Sequence, residues 1–156
     1  MPFTGQADAA IDDKHRLALP AKFRNRWNPE RDGKTWFAVP WAPDACLRLY
    51  TERMFEDLFL AGRRSPSLTP SPTRARLDGA LFSATEQLDV DSNHRVRFQA
   101  WQVEKLKLPR EVVVIGAGDR LEVRARENWG QAFDDLLEDL PRLAELLAQE
   151  ENAPRA

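Results

Sequence analysis

Lys14, Arg16, Lys22, Arg24 and Arg26 stand close together in the chain, and no acid lies between Lys14 and Arg26. Ammonium and guanidinium groups at this density form an anion-binding face, and the planar guanidinium fork matches phosphate oxygens or the edge of a guanine. The overall charge hides this. The 156 residues carry 23 Lys and Arg against 25 Asp and Glu, a formal net charge of -2, which taken alone suggests no polyanionic partner. From Glu127 onward, however, eight acids oppose Arg142 and Arg155, a net of -6, so residues 1–126 carry +4. The near-neutral sum joins a basic body to an acidic tail.

Other chemistry-bearing residues point to weaker possibilities. His15 and His94 are the only histidines and lie beside Asp12, Asp13 and Asp91. A metal would need further converging ligands and catalysis a positioned nucleophile, so both histidines read as turn residues and no metal is expected. Val114–Leu121 contains Gly116-x-Gly118 after an apolar run. A dinucleotide loop would need a third glycine and a following helix, whereas Leu121 stands in that glycine's place and a strand follows, so the segment reads as a hairpin turn and no cofactor is expected. Cys46 is the single cysteine; it reads as a buried small hydrophobe in a reducing compartment, which excludes an intrachain disulfide. No nucleophile–base pair suggests an enzyme or a small-molecule substrate. No run nears the ~18 to 20 apolar residues of a membrane span, and the N-terminus lacks a signal-peptide pattern, so a cytoplasmic protein without a membrane partner is expected. The five tryptophans read as core by default.

The elements that must position the basic run are repeated. A slide of 79 residues lays Asp12 on Asp91, His15 on His94, Arg16 on Arg95, Leu17 on Val96 and Leu19 on Phe98; a slide of 74 lays Leu47 on Leu121 and Phe55 on Trp129. Ordered matches of this kind indicate a duplicated module. Each copy reads as a strand, a tight Asp-led turn, an alternating stretch (Leu17-x-Leu19 or Val96-x-Phe98), a short helix (residues 21–27 or 100–106) and two strands (36–39 and 47–50, or 112–115 and 121–124). A helix closes each copy: Thr51 caps one that buries Met54, Phe55, Leu58 and Phe59, and Asn128 caps one that buries Trp129 through Leu140. Pro141 should kink or restart the second. The expected class is α+β, with two pseudo-symmetric β-β-α-β-β modules, each followed by a helix. The first spans 3–60 and the second 79–140; a Pro/Ser-rich linker over 61–78 joins them, and an acidic tail covers 141–156.

In each turn the aspartate and arginine of Asp-x-x-His-Arg could pair and staple the turn, or the arginine could project toward an anion. Five cations without an acid exceed what stapling needs, which favours contact with phosphates and base edges in the first copy. In the second copy Ser92, Asn93 and Gln99 replace Asp13, Lys14 and Pro20, which favours the staple and leaves Arg95 and Arg97 as weaker contacts.

Asp12-Asp13-Lys14-His15-Arg16 followed by Pro20-Ala21-Lys22-Phe23-Arg24 closely resembles the signature of the MraZ family, and Val112–Val123 followed by Trp129 resembles its second-half hallmark. The resemblance covers about Phe3 to Leu140. It implies tandem SpoVT-AbrB-type modules forming a swapped-hairpin (double-split) β-barrel. It also implies a DNA-binding transcriptional regulator, cytoplasmic and nucleoid-associated, that assembles into a homo-oligomeric ring. Its partner would be double-stranded DNA, bound at direct repeats upstream of its own operon in the division and cell-wall gene cluster. By position, Lys14 and Arg16 become the principal DNA contacts, Lys22 and Arg24 helpers, and Arg95 a weaker contact. His15 and His94 replace the family's usual glycine, which bears on the turn's shape because histidine adopts a left-handed backbone less readily. The other reading is an AbrB-like protein-interaction or ring-scaffold module without sequence-specific DNA binding.

Overall fold

Alternation in the two short stretches has the consequence that period-two patterning predicts: Leu17, Leu19, Val96 and Phe98 are all buried, and the residues between them face out. A computed structural model describes residues 2–63 and 67–154; Pro66 and Arg155 lie outside them. The elements run β1 (Gln6–Ala10), β2 (Arg16–Ala18), α1 (Ala21–Arg24), α2 (Pro29–Asp32), β3 (Trp36–Trp41), β4 (Cys46–Thr51) and α3 (Glu52–Ala61) in the first half. The second half has α4 (Pro72–Ala84), β5 (Glu86–Leu88), β6 (Arg95–Arg97), α5 (Ala100–Lys105), β7 (Glu111–Gly116), β8 (Leu121–Ala125) and α6 (Arg126–Asn152).

Strand pairing exchanges the copies. One antiparallel sheet has the order β1-β7-β8-β4-β3-β5, and β2 and β6 form a separate two-stranded ribbon. Thus β1 of the first copy pairs with β7 of the second, and β5 of the second with β3 of the first. The order is unchanged when the copies are swapped, so a pseudo-twofold axis relates them. It passes through two cross-strand pairs, Leu17 with Val96 and Arg48 with Glu122, the residues that slides of 79 and 74 superpose. β1 and β5 end the larger sheet and do not pair with each other, so the described strands form an open antiparallel sheet plus a ribbon, with no closed barrel among them.

Between sheet and ribbon lies one core. Leu17, Val96, Phe23, Trp36, Leu47, Leu49, Leu121 and Val123 are almost completely enclosed, each such aliphatic side chain contributing roughly 1.5–3 kcal/mol. Buried Gln102 fastens α5 to the end of α4 and to β3: its amide donates to the carbonyls of Ala84 (2.9 Å) and Ala38 (3.3 Å). The Gly116-x-Gly118 segment is a hairpin turn between β7 and β8, with Gly118 at φ 81°. A Cβ on Gly116 would stand 2.6 Å from the backbone of Phe3 and Thr4, so this glycine permits the close approach of the N-terminal segment.

Outside the core, several expectations change. Residues 72–78, expected as linker, form the start of α4, which Ser71 caps by accepting the Arg74 amide; Pro72 at the first position suits this helix. Thr51 does cap α3, accepting the Met54 amide at 3.2 Å, but Leu58 and Phe59 remain exposed. Ala125, not Asn128, precedes α6, which continues through Pro141 to Asn152. Its burial ends early, since Trp129, Ala132 and Phe133 pack on Val113 and Ile115 while Leu136, Leu137 and Leu140 are exposed. The acidic tail is therefore largely helix.

Candidate nucleic-acid interface

The basic residues of the two copies meet on the β2–β6 ribbon. Each strand enters from a turn built around one aspartate. Asp12 Oδ1 accepts the backbone amides of Lys14 and Arg16, both at 2.9 Å, and Oδ2 accepts Arg16 Nε at 2.8 Å. Asp91 repeats this with the amides of Asn93 (2.8 Å) and Arg95 (2.9 Å) and with Arg95 Nε (2.8 Å). The amide of Arg16, with help from its guanidinium and the Lys14 amide, holds the Asp12 carboxyl at about 2, and the same set of contacts lowers Asp91. Both anions persist at any physiological pH.

Closing each turn needs one residue in the left-handed region, and His15 (φ 62°) and His94 (φ 59°) occupy it. Histidine therefore performs the backbone task of a glycine here, and the two turns retain the same shape. Each histidine carbonyl then serves the opposite copy: Phe98 N donates to His15 O at 2.8 Å, and Leu19 N donates to His94 O at 2.9 Å. These two bonds extend the three-residue ladder at both ends.

Stapling and anion contact turn out to be compatible uses of one side chain. The staple engages Nε alone; among the described residues neither Arg16 nor Arg95 has its terminal Nη atoms in a hydrogen bond. An aspartate thus fixes the guanidinium's base while its fork stays available. The staple, assigned above mainly to the second copy, is present in both.

Ribbon register decides which cations share a face. Arg16 lies opposite Arg97, and Ala18 opposite Arg95; with Leu17 and Val96 pointing inward, Arg16, Arg95 and Arg97 point outward together. Arg97 Nε also donates to the Lys14 carbonyl at 3.1 Å, and the Lys14 side chain is exposed. Lys14, Arg16, Arg95 and Arg97 therefore form one basic ribbon, outnumbering the stapling carboxylates two to one. Asp13, nearby, faces Arg110 Nη1 at 3.1 Å. Lys22 is committed differently, with Nζ donating to the Gln6 carbonyl at 3.1 Å. Arg24 is half-buried on α1.

Other residues singled out in the sequence lie elsewhere. Cys46 is buried and its thiol is pushed up to about 11 by burial and by Glu122, so it stays protonated. Trp36 and Trp129 are buried, Trp27 is half-buried, and Trp41 and Trp101 are exposed, the Trp41 ring carrying the Arg48 guanidinium at 4.4 Å. Among the described residues no helix is long and apolar enough to cross a membrane, and no group of three or more His, Cys, Asp and Glu side chains is placed to hold a metal ion.

Residues 81–146 match the family described as "MraZ protein, putative antitoxin-like". Over most of its length the chain is also similar to proteins named transcriptional regulator MraZ. That of Heliobacterium modesticaldum is 31% identical over 93% of this chain and 96% of its own. That of a Nocardioides species is 34% identical over 83% and 84%, and that of Coxiella burnetii 27% over 90% and 91%.

Proposed function

The chain belongs to the MraZ family, and on that premise we propose that it is a sequence-specific DNA-binding transcriptional regulator that reads DNA with the β2–β6 ribbon. One observation carries this reading: Lys14 and Arg16 of the first copy and Arg95 and Arg97 of the second converge on the exposed face of two antiparallel strands. A two-stranded ribbon fits the major groove, where arginine forks recognise guanine edges and lysine engages phosphate. The aspartate staples limit the rotamers of Arg16 and Arg95, so less side-chain entropy is lost on binding.

Its targets, on this reading, are the direct repeats upstream of its own operon in the division and cell-wall cluster, with the protein working on the nucleoid as a homo-oligomeric ring. One ribbon supplies about four phosphate or base contacts, too few for tight binding in salt. A ring presents several ribbons to successive repeats and raises effective concentration without new kinds of contact. Exchange of β1 and β5 between the copies supports a swapped-hairpin arrangement of two SpoVT-AbrB-type modules over 3–60 and 79–140, with α4 contributed by residues between them. Arg16 and Lys14 are the main contacts, Arg95 and Arg97 join them, and Arg24 on α1 is a helper; Lys22 acts chiefly by holding β1.

A mobility-shift titration tests this, using the DNA directly upstream of the gene and a scrambled duplex of equal length. The parent should prefer the native duplex and lose affinity steeply with salt, and Arg16→Ala should abolish the preference while the assembly stays intact. Equal binding of both duplexes by the parent would instead support the interaction-scaffold reading.

A further inference from the structure

Away from the ribbon the molecule carries two apolar surfaces, one concave and one convex, that differ in charge. The concave surface is a groove of about 280 Å³ between α3 and α4 on the outer side of β3 and β4. Aromatic rings form its floor, with Phe82 meeting Phe55 and Phe59 edge-on at centroid separations of 6.3 and 5.4 Å. Leu58 and Leu77 line it and are 41% and 51% exposed. Arg48, Arg63 and Arg74 line it against a single carboxylate, Asp78, which lies 3.5 Å from Arg63 Nη2 and 3.9 Å from Arg74 Nη1.

The convex surface is the distal part of α6. After Phe133 the helix has no further place in the chain's hydrophobic core, yet Leu136, Leu137, Leu140, Leu143, Leu146 and Leu147 continue at helical spacing and are 40–60% exposed. Seven acids lie between Asp134 and Glu151, with Arg142 the one cation among them. Contiguous apolar surface of this kind on a polar helix marks an interaction face.

We propose that the leucine stripe of α6 in one copy of this chain seats in the α3–α4 groove of a second copy. The inference rests on the ring reading above and names the two surfaces that would build the ring. Sign selects the occupant: a leucine-rich acidic helix complements an aromatic groove edged with arginines, whereas pairing α6 with α6 would bring two acidic faces together. The anchors are those of a helix-in-groove contact, with leucines at i, i+3 and i+4 facing one way. Geometry selects the assembly. The groove and the α6 stripe are different surfaces of the chain, so the contact is heterologous and propagates from chain to chain, and the ring reading requires that it close on itself.

Two full-length single-cysteine additions test it, Leu77→Cys and Leu143→Cys, with native Cys46 buried and left in place. After mixing and mild oxidation, the expected product is a two-chain disulfide joining one variant to the other. Charge reversal gives a second readout. Arg63→Glu with Arg74→Glu, and separately Glu138→Lys with Glu145→Lys, should each weaken assembly at least tenfold in sedimentation velocity while circular dichroism remains parental, and mixing the two proteins should restore the parental assembly. If the parent is oligomeric but Leu143→Cys links only to itself, the inference is overturned and the ring reading survives. A parent that stays monomeric at all accessible concentrations overturns both.

Discussion

The two Asp-led turns and the two closing helices are equivalent pairs of the same duplication, yet they have fared differently. In the turns, the carboxylate bonds measure 2.9, 2.9 and 2.8 Å in one copy and 2.8, 2.9 and 2.8 Å in the other. The closing helices are a ten-residue α3 and a 27-residue α6. Distance from the pseudo-twofold axis accounts for the contrast. Each turn ends on a carbonyl that the other copy's strand must meet, so altering one disturbs both. The helices pack on the outer side of the sheet, α3 over β3 and β4 and α6 over β7 and β8, and answer to no such partner.

On the axis itself the rule inverts. Arg48 and Glu122 occupy equivalent positions and face each other across β4 and β8, with Arg48 Nε 3.9 Å from Glu122 Oε2. Identical residues would set like charges against one another here, and a tandem chain, unlike a homodimer, can differentiate the two. Burial favours the neutral form of Glu122, but hydrogen bonds from Arg124 and the charges of Arg124 and Arg120 prevail and lower its pKa. A symmetric turn and an asymmetric axis therefore have the same origin, the demands of a shared interface.

The largest expected effect lies on the axis. Glu122→Gln removes the carboxylate that Arg48, Arg120 and Arg124 surround and should cost about 3 kcal/mol, as breaking a mostly buried ion cluster does; Arg48→Gln should cost less, because Glu122 retains two arginines. Urea denaturation compares them, and equal costs would show that Arg120 and Arg124 do not sustain Glu122 once Arg48 is gone. Next come the ribbon arginines. Arg16→Ala should weaken operator binding by about 1–3 kcal/mol with loss of the sequence preference, and Arg95→Ala should lose less because Asn93 stands where the first copy has Lys14. A salt-titrated binding isotherm for each variant decides whether the copies contribute unequally.

Two finer tests address the turns. Carboxyl carbon NMR should find Asp12 titrating at about 2 and Asp91 below the ordinary aspartate value of 3.8. Since folding lowers these pKa values, the stabilisation is complete above about pH 4 and is lost as pH falls through 2; a midpoint near 3.8 for Asp12 would refute the staple. The smallest effect belongs to His15→Gly and His94→Gly. Relief of a left-handed side chain is nearly offset by the freer unfolded chain, leaving each within about 1 kcal/mol of the parent in thermal unfolding. A loss confined to one copy would show that its histidine does more than turn the backbone.

Much of this architecture was legible from residue order. Repetition of Asp-x-x-His-Arg disclosed the duplication, alternation around Leu17 and Val96 disclosed the ribbon strands, and Thr51 announced the start of α3, because these signals depend on neighbours within a few positions. The Arg16 guanidinium belonged both to a staple and to an outward face, and residue types could not show that Nε serves one while the Nη atoms remain for the other. Arg97 reads as a weaker contact because Ser92, Asn93 and Gln99 replace Asp13, Lys14 and Pro20 in the second copy; only the register puts it opposite Arg16 on the exposed face. The reach of α6 was also missed, since Pro141 lacks the amide of an interior helical residue and yet the helix continues.

Composition and spacing by themselves determined that the chain is a duplicated α+β protein whose basic residues concentrate before its acidic end. Only the tertiary structure decided that β1 and β5 cross between the copies, that two half-basic turns combine into one basic face, and that α6 leaves its leucines uncovered. The physical reason is range: turns, caps and alternation are local free-energy choices, whereas strand partnership and burial are set by which distant surfaces meet.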